Sequence, residues 1–226
     1  MTVLAFDTCF AGLSVAVATV RDGHVVLLAD VFERIETGHA ERLMPAIAAT
    51  LSRAGCGYKD ITRIAVTVGP GSFTGIRVGI AAARALSLAL DVPIVGMTSL
   101  EVAAHEARER LSGASQGRLA VVMDARRGAL YAQIFEPNGT TAGPRLVTLE
   151  EAAVEPIFEG VLAVGSGARL LAEARGGAMQ ATLSDLLPSA RHLAREAPGL
   201  SPLASVAPLY LRAADARPPA HLDLRG

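Results

Sequence analysis

The chain has 226 residues, of which 51% are hydrophobic and only 19% are charged. This composition is typical of a packed globular protein and excludes an intrinsically disordered one. Twenty-one basic and twenty-two acidic residues leave a net charge of −1, so the surface as a whole cannot hold nucleic acid by charge alone. Any contact with nucleic acid must therefore be local or made through a partner.

Cysteine usage and hydropathy indicate the compartment. The two cysteines, Cys9 and Cys56, form neither a CxxC motif nor a disulfide framework, which fits a reducing compartment. The N-terminus has no basic region before an apolar run, and Arg77, Arg84 and Asp91 interrupt the most apolar stretch. We therefore expect a cytoplasmic protein that does not enter a membrane.

The first half of the chain is predicted to contain eight elements in the order βββαβαβα. Runs of β-branched residues indicate the strands, and apolar residues four apart, such as Leu43, Ile47 and Leu51, indicate the helices. A capping box at 98–101 opens the third helix, and Thr37 lies near the predicted N-cap of the first. The predicted bounds are 3–8, 13–19 and 24–32 for three strands, 39–54 for a helix, 64–68 for a strand, a helix that ends near 90, 92–95 for a strand, and a helix that ends near 111.

The second half repeats this plan, with strands predicted at 119–124, 129–135, 145–147 and 161–164. An offset of 117 places Asp7 on Asp124, and an offset of 96 places the loop that begins at Gly69 on the loop that begins at Gly165. The polar segment 112–117 is the predicted lobe boundary. Two lobes that face each other across a cleft follow from this repeat. They span residues 1–112 and, for the smaller C-terminal lobe, 113–212, followed by a flexible tail over 213–226.

Two features of the first lobe are candidates for binding an anion or a nucleotide. A strand-end aspartate followed by a hydroxyl can orient a metal-bound water or a phosphate, although such aspartates also commonly accept turn amides. The loop 69–75 places amide groups at a helix N-terminus, but its glycines equally allow a strand and a helix to pack closely. The loop matches neither the dinucleotide fingerprint nor the P-loop. Both interpretations stay open for the candidate residues, which are Asp7, Thr8, Gly69, Gly71, Ser72, Thr74 and Asp124.

The sequence offers no motif for a metal ion or a nucleophile. No pair of histidines has HxxxH or HExxH spacing, and no GxSxG elbow occurs. Arg77, Arg126 and Arg127 lie near the candidate residues and could pair with a carboxylate or a phosphate, although a surface arginine needs no such partner. We therefore predict no metal site and no catalytic residue.

Two segments closely resemble the TsaB (YeaZ) family. They are residues 64–79, with the sequence IAVTVGPGSFTGIRVG, and residues 93–100, with the sequence PIVGMTSL. The resemblance covers nearly the full chain, strongly to about residue 135 and more loosely beyond. Further support comes from Asp7-Thr8 and from residues 39–45, 123–128 and 208–212.

The resemblance implies an α/β fold of the actin/Hsp70/sugar-kinase (ASKHA) type, duplicated in two lobes that each hold a mixed sheet flanked by helices. It also implies a non-catalytic, accessory role in the threonylcarbamoylation of adenosine 37 in ANN-decoding tRNAs. The implied partners are the paralogous transferase TsaD and the ATPase TsaE, with tRNA reached through the complex and a homodimer formed when the chain is alone. No intrinsic cofactor is implied, although ATP or ADP could be bound at the interface with partners.

Departures from the TsaD pattern favour a partner without catalytic activity. TsaD carries metal-binding histidines after the strand that corresponds to 92–95, and those places hold Ser99 and Ala103 here. Neither side chain can replace an imidazole ligand. The second glycine loop, at 165–167, is short, which argues against independent ATP binding.

Family members pair through helices of the N-terminal lobe, so the apolar stripes of the first two helices are the predicted interface. Part of each stripe must still form the core of the lobe. Small residues at 81–83 and 85 would let another helix approach closely. The candidate interface residues are Leu43, Met44, Ile47, Ile80, Ala83 and Leu86.

Two further functions stay open from the sequence. One is an ASKHA-type phosphoryl or acyl transferase that binds ATP in the cleft, with Asp7, Asp124, Gly71 and Ser72 at its site. The other is a peptidase, which ranks last because the sequence supplies no protease nucleophile or metal site.

Overall fold

The structure is a computed structural model that describes residues 1–111, 117–139 and 142–212. Two five-stranded sheets form its centre, and helices cover them. The strands are β1 (Thr2–Asp7), β2 (Leu13–Arg21), β3 (His24–Glu33), β4 (Arg63–Thr67), β5 (Ile94–Met97), β6 (Leu119–Asp124), β7 (Ala129–Phe135), β8 (Arg145–Thr148), β9 (Leu162–Val164) and β10 (Ala181–Thr182). The helices are α1 (His39–Arg53), α2 (Phe73–Leu90), α3 (Ser99–Leu111), α4 (Leu149–Val154), α5 (Ala168–Ala174) and α6 (Ala190–Glu196).

Both sheets have the same strand order. The first runs β3-β2-β1-β4-β5, and the second runs β8-β7-β6-β9-β10. In each sheet the first three strands form an antiparallel meander, and the last two strands extend it by parallel pairing. The second copy is shorter, since α5 has 7 residues where α2 has 18. The predicted duplicated α/β fold, with a mixed sheet in each lobe, is confirmed.

Local sequence explains where several helices begin. The side chains of Ser72 and Thr148 accept amide hydrogen bonds at the N-termini of α2 and α4, as Ser and Thr do at N-caps. The first helix begins at His39, behind Gly38, whose φ of 85° suits a glycine. Thr37 therefore lies one residue before the cap. The N-caps of these helices are thus fixed by short-range chemistry that a sequence can show.

The last helix of each lobe packs on the sheet of the other lobe. Helix α3 lies against β6 and β7, whereas α6 lies against β1, β2 and β3. Leu100 and Ala107 of α3 are buried in the core of the second sheet. Ala190 and Leu193 of α6 are buried in the core of the first. The two lobes are therefore interlocked by an exchange of helices.

Each predicted domain is a continuous segment of chain that contains one helix packed on the sheet of the other lobe. The segment 1–112 includes α3, which covers the second sheet, and the segment 113–212 includes α6, which covers the first. Most of the predicted boundary, residues 112–116, lies outside the described residues. The predicted tail, 213–226, also lies outside them. The order of that tail stays a prediction.

Residues 200–212, which we call the C-terminal strap, return from the second lobe to the first. The Leu203 amide donates to the Ile94 carbonyl at 2.8 Å. The Leu209 amide donates to the Val68 carbonyl at 2.7 Å. The strap therefore joins the first lobe along β4 and β5 after the chain has completed the second.

Helix α2 is long and apolar enough, by length and composition, to cross a membrane. Ile76, Ile80 and Ala83 on one of its faces are buried in the core of the first lobe. Arg77 and Arg84 are exposed on the other side. Buried core helices of water-soluble proteins share this composition, and the absence of membrane insertion stays a prediction.

Candidate functional site

A cleft of about 780 Å³ lies between the two lobes, and we call it the interlobe cleft. Gly71 and Ser72 reach its wall from the start of α2, while Asp124 and Ser166 reach it from the second lobe. The cleft therefore brings together both glycine loops and Asp124 of the second lobe, whereas the repeat predicts that the aspartates of both lobes meet there. Its wall consists of residues 10–11, 36, 71–73, 124–127, 131, 166, 187 and 209–212.

Asp7 is buried at the end of β1 and is not part of the cleft wall. Its Oδ1 atom accepts a hydrogen bond from Thr67 Oγ1 at 2.5 Å and one from the Cys9 amide at 3.4 Å. Burial raises the pKa of Asp7 to about 6, although these hydrogen bonds oppose the rise. The carboxyl group thus satisfies a turn amide, and a role toward a ligand stays a prediction.

The first glycine loop packs directly on the turn between β1 and β2. A Cβ atom at Gly71 would lie 2.2 Å from the Cys9 carbonyl oxygen, and one at Gly75 would lie 1.9 Å from that of Thr8. Thr8 Oγ1 donates to the Gly75 carbonyl at 2.7 Å, and the Ser72 amide donates to the Cys9 carbonyl at 2.6 Å. Close packing therefore accounts for these glycines. Phosphate binding by the loop stays a prediction.

Gly69 and Thr74 are the remaining candidates of this loop. Gly69 is buried with a φ of 109°, and a Cβ atom there would lie 2.7 Å from the Leu209 carbonyl oxygen of the C-terminal strap. Thr74 is exposed in the first turn of α2. At the repeat position, Gly165 has a φ of 103°, so the two glycine loops share a backbone conformation as well as a sequence pattern.

Asp124, the counterpart of Asp7, is partly exposed on the cleft wall. Its Oδ1 atom accepts a hydrogen bond from the Arg126 amide at 2.7 Å, two residues on, as Asp7 does from its own turn. The Asp124 amide donates to Ser166 Oγ at 3.0 Å. The two aspartates therefore share a structural role, but only the second faces the cleft.

Arg77 contacts aromatic rings in this structure. Its guanidinium carbon lies 3.7 Å from the centre of the Phe73 ring, and its Nε atom donates to the Tyr210 hydroxyl at 2.9 Å. The two rings lie 4.8 Å apart. A cation over an aromatic face is stabilising, which offsets the cost of positive charge near a helix N-terminus. Arg77 thereby ties α2 to the C-terminal strap.

Aromatic side chains that no sequence motif marks also line the interlobe cleft. Phe10 and Tyr131 meet there edge to face, with ring centres 6.4 Å apart. Together with Phe73 and Tyr210, they are four of the nine Phe and Tyr residues in a chain without Trp. Because aromatic residues are scarce in this chain, those near the glycine loop and the aspartate turn are the one sequence signal that could have indicated this part of the site.

A buried charged group that no sequence motif marks lies between α3 and α6. Glu106, with 4% exposure, contacts His192 at 3.0 Å, Arg110 at 2.7 Å and Arg191 at 2.9 Å. Burial opposes ionisation of Glu106, but hydrogen bonds from His192 and Arg110 and the charge of Arg191 outweigh it and lower its pKa to about 2. The group therefore joins the two exchanged helices, and with them the two lobes.

In the part of the chain that the structure describes, no three His, Cys, Asp or Glu residues are grouped so as to hold a metal ion. The places of the TsaD histidines belong to the packed interior, where Ser99 Oγ donates to the Pro70 carbonyl and Ala103 is fully buried. Burial and the neighbouring Asp7 raise the pKa of the Cys9 thiol well above its usual range. Cys9 is therefore not poised as a peptidase nucleophile.

Most of the predicted interface residues face inward. Packing against the first sheet leaves five of the six with 8% exposure or less, so their side chains already fill the lobe's own core. Met44 is the exception, at 42% exposure. The five buried residues are Leu43, Ile47, Ile80, Ala83 and Leu86.

The opposite side of the same two helices exposes small and apolar side chains, with Arg77 and Arg84 of α2 on that side as well. Helices α1 and α2 contact each other, and the residues Met44 and Ala48 of the first helix and Ala81, Ala85 and Leu88 of the second are exposed. We call these five residues the α1–α2 outer face. Leu88 is 87% exposed, so its side chain is not part of the buried apolar stripe of α2.

Comparison with known proteins points to one family. The model of the TsaD family, described as tRNA N6-adenosine threonylcarbamoyltransferase, matches residues 31–174. The tRNA threonylcarbamoyladenosine biosynthesis protein TsaB of Bacillus subtilis is 33% identical over 60% of this chain and 56% of its own length. The protein of the same name from Escherichia coli is 37% identical over 58% of this chain and 53% of its own length. These matches span about half of either TsaB protein.

Other matches extend over nearly the full chain. An uncharacterised protein of Mycobacterium tuberculosis is 32% identical over 96% of this chain and 94% of its own length. The solved structure described as YeaZ from Pseudomonas aeruginosa is 27% identical, with a TM-score of 0.75, and covers 93% of this chain and 99% of that chain. The fold of both lobes is therefore shared with a solved structure.

Proposed function

This chain belongs to the TsaB (YeaZ) family, and from that premise we propose that it acts in the synthesis of threonylcarbamoyladenosine at adenosine 37 of ANN-decoding tRNAs. In this proposal the chain is a non-catalytic subunit, and a TsaD-like transferase carries out the transfer in the cytoplasm. Support comes from the names of the TsaB relatives and from a family match that extends into both lobes.

The non-catalytic role is supported by what replaces the histidines of TsaD. Ser99 and Ala103 occupy those places, and both are buried in the packed interior. A serine hydroxyl that donates to a backbone carbonyl and an alanine methyl group supply no metal ligand of the imidazole type. The chemistry of the proposed reaction therefore belongs to the partner.

The observation that carries the proposal is the α1–α2 outer face. Leu88 protrudes beside Ala81 and Ala85, which precede it by seven and three residues and so share its side of the helix. Small residues allow close approach of another helix, and an exposed apolar surface is typical of an interface. We assign this face to the TsaD-like transferase, joined by a TsaE-like ATPase, with ATP or ADP at the interface with partners and tRNA reached through the complex.

Reconstitution tests the proposal directly. Unmodified tRNA is incubated with the transferase, the adenylate-forming enzyme and the ATPase, with and without this chain, and threonylcarbamoyladenosine is measured. We expect product only when the chain is added, and no ATP turnover by the chain alone. Equal product in both mixtures, with ATP turnover by the isolated chain, would instead support a transferase that uses the interlobe cleft.

A surface variant tests the assigned face. Leu88→Arg places a charge in the centre of the proposed helix contact, and we expect product formation at limiting protein to fall about tenfold or more. Val154→Arg in α4 is the matched control, because Val154 is also exposed, at 78%, but lies in the second lobe. Equal effects of the two variants would remove the assignment.

A further inference from the structure

The exposed side of helix α2 combines apolar and basic residues. Arg77, Ala81, Arg84 and Leu88 follow one another at spacings of four, three and four residues, which places them on one side of the helix. Ala81 and Leu88 belong to the α1–α2 outer face, which we assign to the transferase. The two arginines lie about 10 Å apart along the helix axis and share the exposed side of that face.

The C-terminal strap holds both arginines in place. Arg84 Nη2 donates to the Val206 carbonyl at 2.5 Å, and Arg77 Nε donates to the Tyr210 hydroxyl at 2.9 Å. The strap therefore runs along α2 in the opposite direction, from Arg84 back to Arg77. We call this line of contact, from Arg77 to Arg84, the basic seam. Because both guanidinium groups are already ordered, a ligand that binds them costs little further conformational entropy.

The basic seam carries positive charge without a matching carboxylate. Helix α2 and the C-terminal strap together contain three arginines, the third being Arg212, and neither Asp nor Glu. Within residues 1–111, 117–139 and 142–212, Arg77 and Arg84 form no ion pair, and their remaining guanidinium N–H groups donate no hydrogen bond. The next acidic residue along the chain is Asp91, at the C-cap of α2. These N–H groups are therefore available for carboxylate oxygens, with which guanidinium groups pair strongly.

A protein partner fits this surface better than a nucleic acid does. Basic side chains next to an exposed apolar stripe are typical of a protein interface, which has an apolar core and a polar rim. Phosphate groups would pair with the arginines but would leave the exposed Leu88 side chain in water. The small side chain of Ala81 lets a partner helix come close enough for its flanking residues to reach the basic seam.

We propose that the basic seam binds carboxylates of the transferase helix that packs on the α1–α2 outer face. The matching surface is an apolar helix stripe bordered by two Asp or Glu residues about 10 Å apart, which corresponds to two turns of helix. This inference rests on the proposed function, because the partner is the same. It adds the charge pattern that the partner must carry and the part of this chain that reads it.

Binding of the transferase to the full chain, measured by calorimetry at low and high salt, tests the proposal. Arg84→Gln removes the charge and keeps an amide donor for the Val206 carbonyl. We expect its Kd to rise about fivefold at about 50 mM NaCl and by less than about twofold at about 500 mM, because salt screens the lost charge pairs. Arg84→Lys should lose about twofold at low salt, since it keeps the charge without the fork of donors.

Arg53→Gln is the matched control. Arg53 is exposed and donates to a backbone carbonyl, as Arg84 does, but it lies nine residues after Met44 and so on the opposite side of α1. Its Kd for the transferase should be unchanged. A loss of equal size at both salt concentrations for Arg84→Gln would indicate a loosened strap rather than a lost charge, and would contradict the proposal.

The Leu88→Arg variant separates this proposal from the proposed function. Weaker transferase binding by Leu88→Arg, with unchanged binding by Arg84→Gln, would overturn the role of the basic seam and leave the proposed function intact. Unchanged binding by both variants would overturn the assigned face as well. Weaker binding of unmodified tRNA by Arg84→Gln, with unchanged transferase binding, would assign the basic seam to RNA and overturn the proposal.

Discussion

At the scale of single residues, nearby backbone carbonyl oxygens explain why glycine occupies positions 71 and 75 of the first glycine loop. Gly71 and Gly75 are not among the residues with positive φ, so a side chain would meet no backbone strain there. The obstacle is the carbonyl oxygen of the facing turn, 1.9 Å from a Cβ atom at Gly75. Because that oxygen belongs to a buried backbone, it cannot move aside cheaply. Sequence motifs of this kind can therefore record packing as well as ligand binding.

This contact predicts a large effect of a single methyl group. Gly75→Ala is expected to destabilise the fold by about 3 kcal/mol, because the added Cβ atom overpacks a site bounded by backbone. Gly143→Ala is the control, since a Cβ atom there has no neighbour within 4 Å, and its effect should stay within about 0.5 kcal/mol. Urea unfolding of both variants measures the difference. Similar midpoints for the two would contradict the packing argument.

Asp7 predicts a pH dependence of stability with an unusual sign for a carboxyl group. Its pKa is about 6 in the folded chain against 3.8 as its ordinary value, so between these pH values the folded state binds more protons than the unfolded state. Stability should therefore fall as pH rises from about 4 to about 6, by on the order of 3 kcal/mol. Urea unfolding across this range should show a shallower fall for Asp7→Asn, which keeps an oxygen for Thr67 but cannot ionise. Parallel curves for both proteins would refute this account.

At the scale of elements, a buried carboxylate joins the two exchanged helices, α3 and α6. Glu106 accepts from groups on both helices, and it is the buried member of a set of ion pairs between them that also includes Glu109. Removing its charge would leave Arg110 and Arg191 with only the more exposed carboxylates of Asp185 and Glu109 as partners. A buried charged group of this kind is costly to break even where its net contribution to stability is small.

Glu106→Gln is therefore expected to destabilise the protein by about 3 kcal/mol at pH 7. Glu109→Gln, which alters a partly exposed neighbour of the same cluster, should cost less than about 1 kcal/mol. With a folded pKa of about 2 against an ordinary value of 4.5, the stability due to Glu106 is present above pH 4.5 and is lost as pH falls toward 2. Thermal or urea unfolding from pH 2 to 7 checks both points, and equal losses for the two variants would contradict them.

At the scale of the whole molecule, the α1–α2 outer face predicts self-association in the absence of a partner. An exposed apolar face on two adjacent helices lowers its contact with water by pairing with its own copy. Light scattering over a range of concentrations should show a homodimer for the chain alone and a monomer for Leu88→Arg. Val154→Arg should remain dimeric. A monomer mass at every concentration for the unaltered chain would exclude this prediction.

The sequence predicted the elements of the first half and the repeat well because their signals are local, whereas β10 and α6 were not predicted. Residues four apart in α1 and the capping residues of α2 and α4 act within one or two turns of chain. It was harder to predict which apolar residues of a helix face the core. Leu86 and Leu88 are both leucines of α2, yet Leu86 is buried and Leu88 is exposed. Periodicity describes a stripe but does not say which stripe meets the sheet.

By itself the sequence determined the order of elements in the first half, the duplicated lobe and the family, because propensity, capping and motif spacing are properties of neighbouring residues. Only the tertiary structure decided which aspartate faces the cleft, which helices cross between lobes, and which aromatic rings meet. Phe73 and Tyr210 are far apart along the chain but in contact in space. Burial, desolvation and cavity shape depend on such distant contacts, so the wall of the interlobe cleft exists only after both lobes have packed.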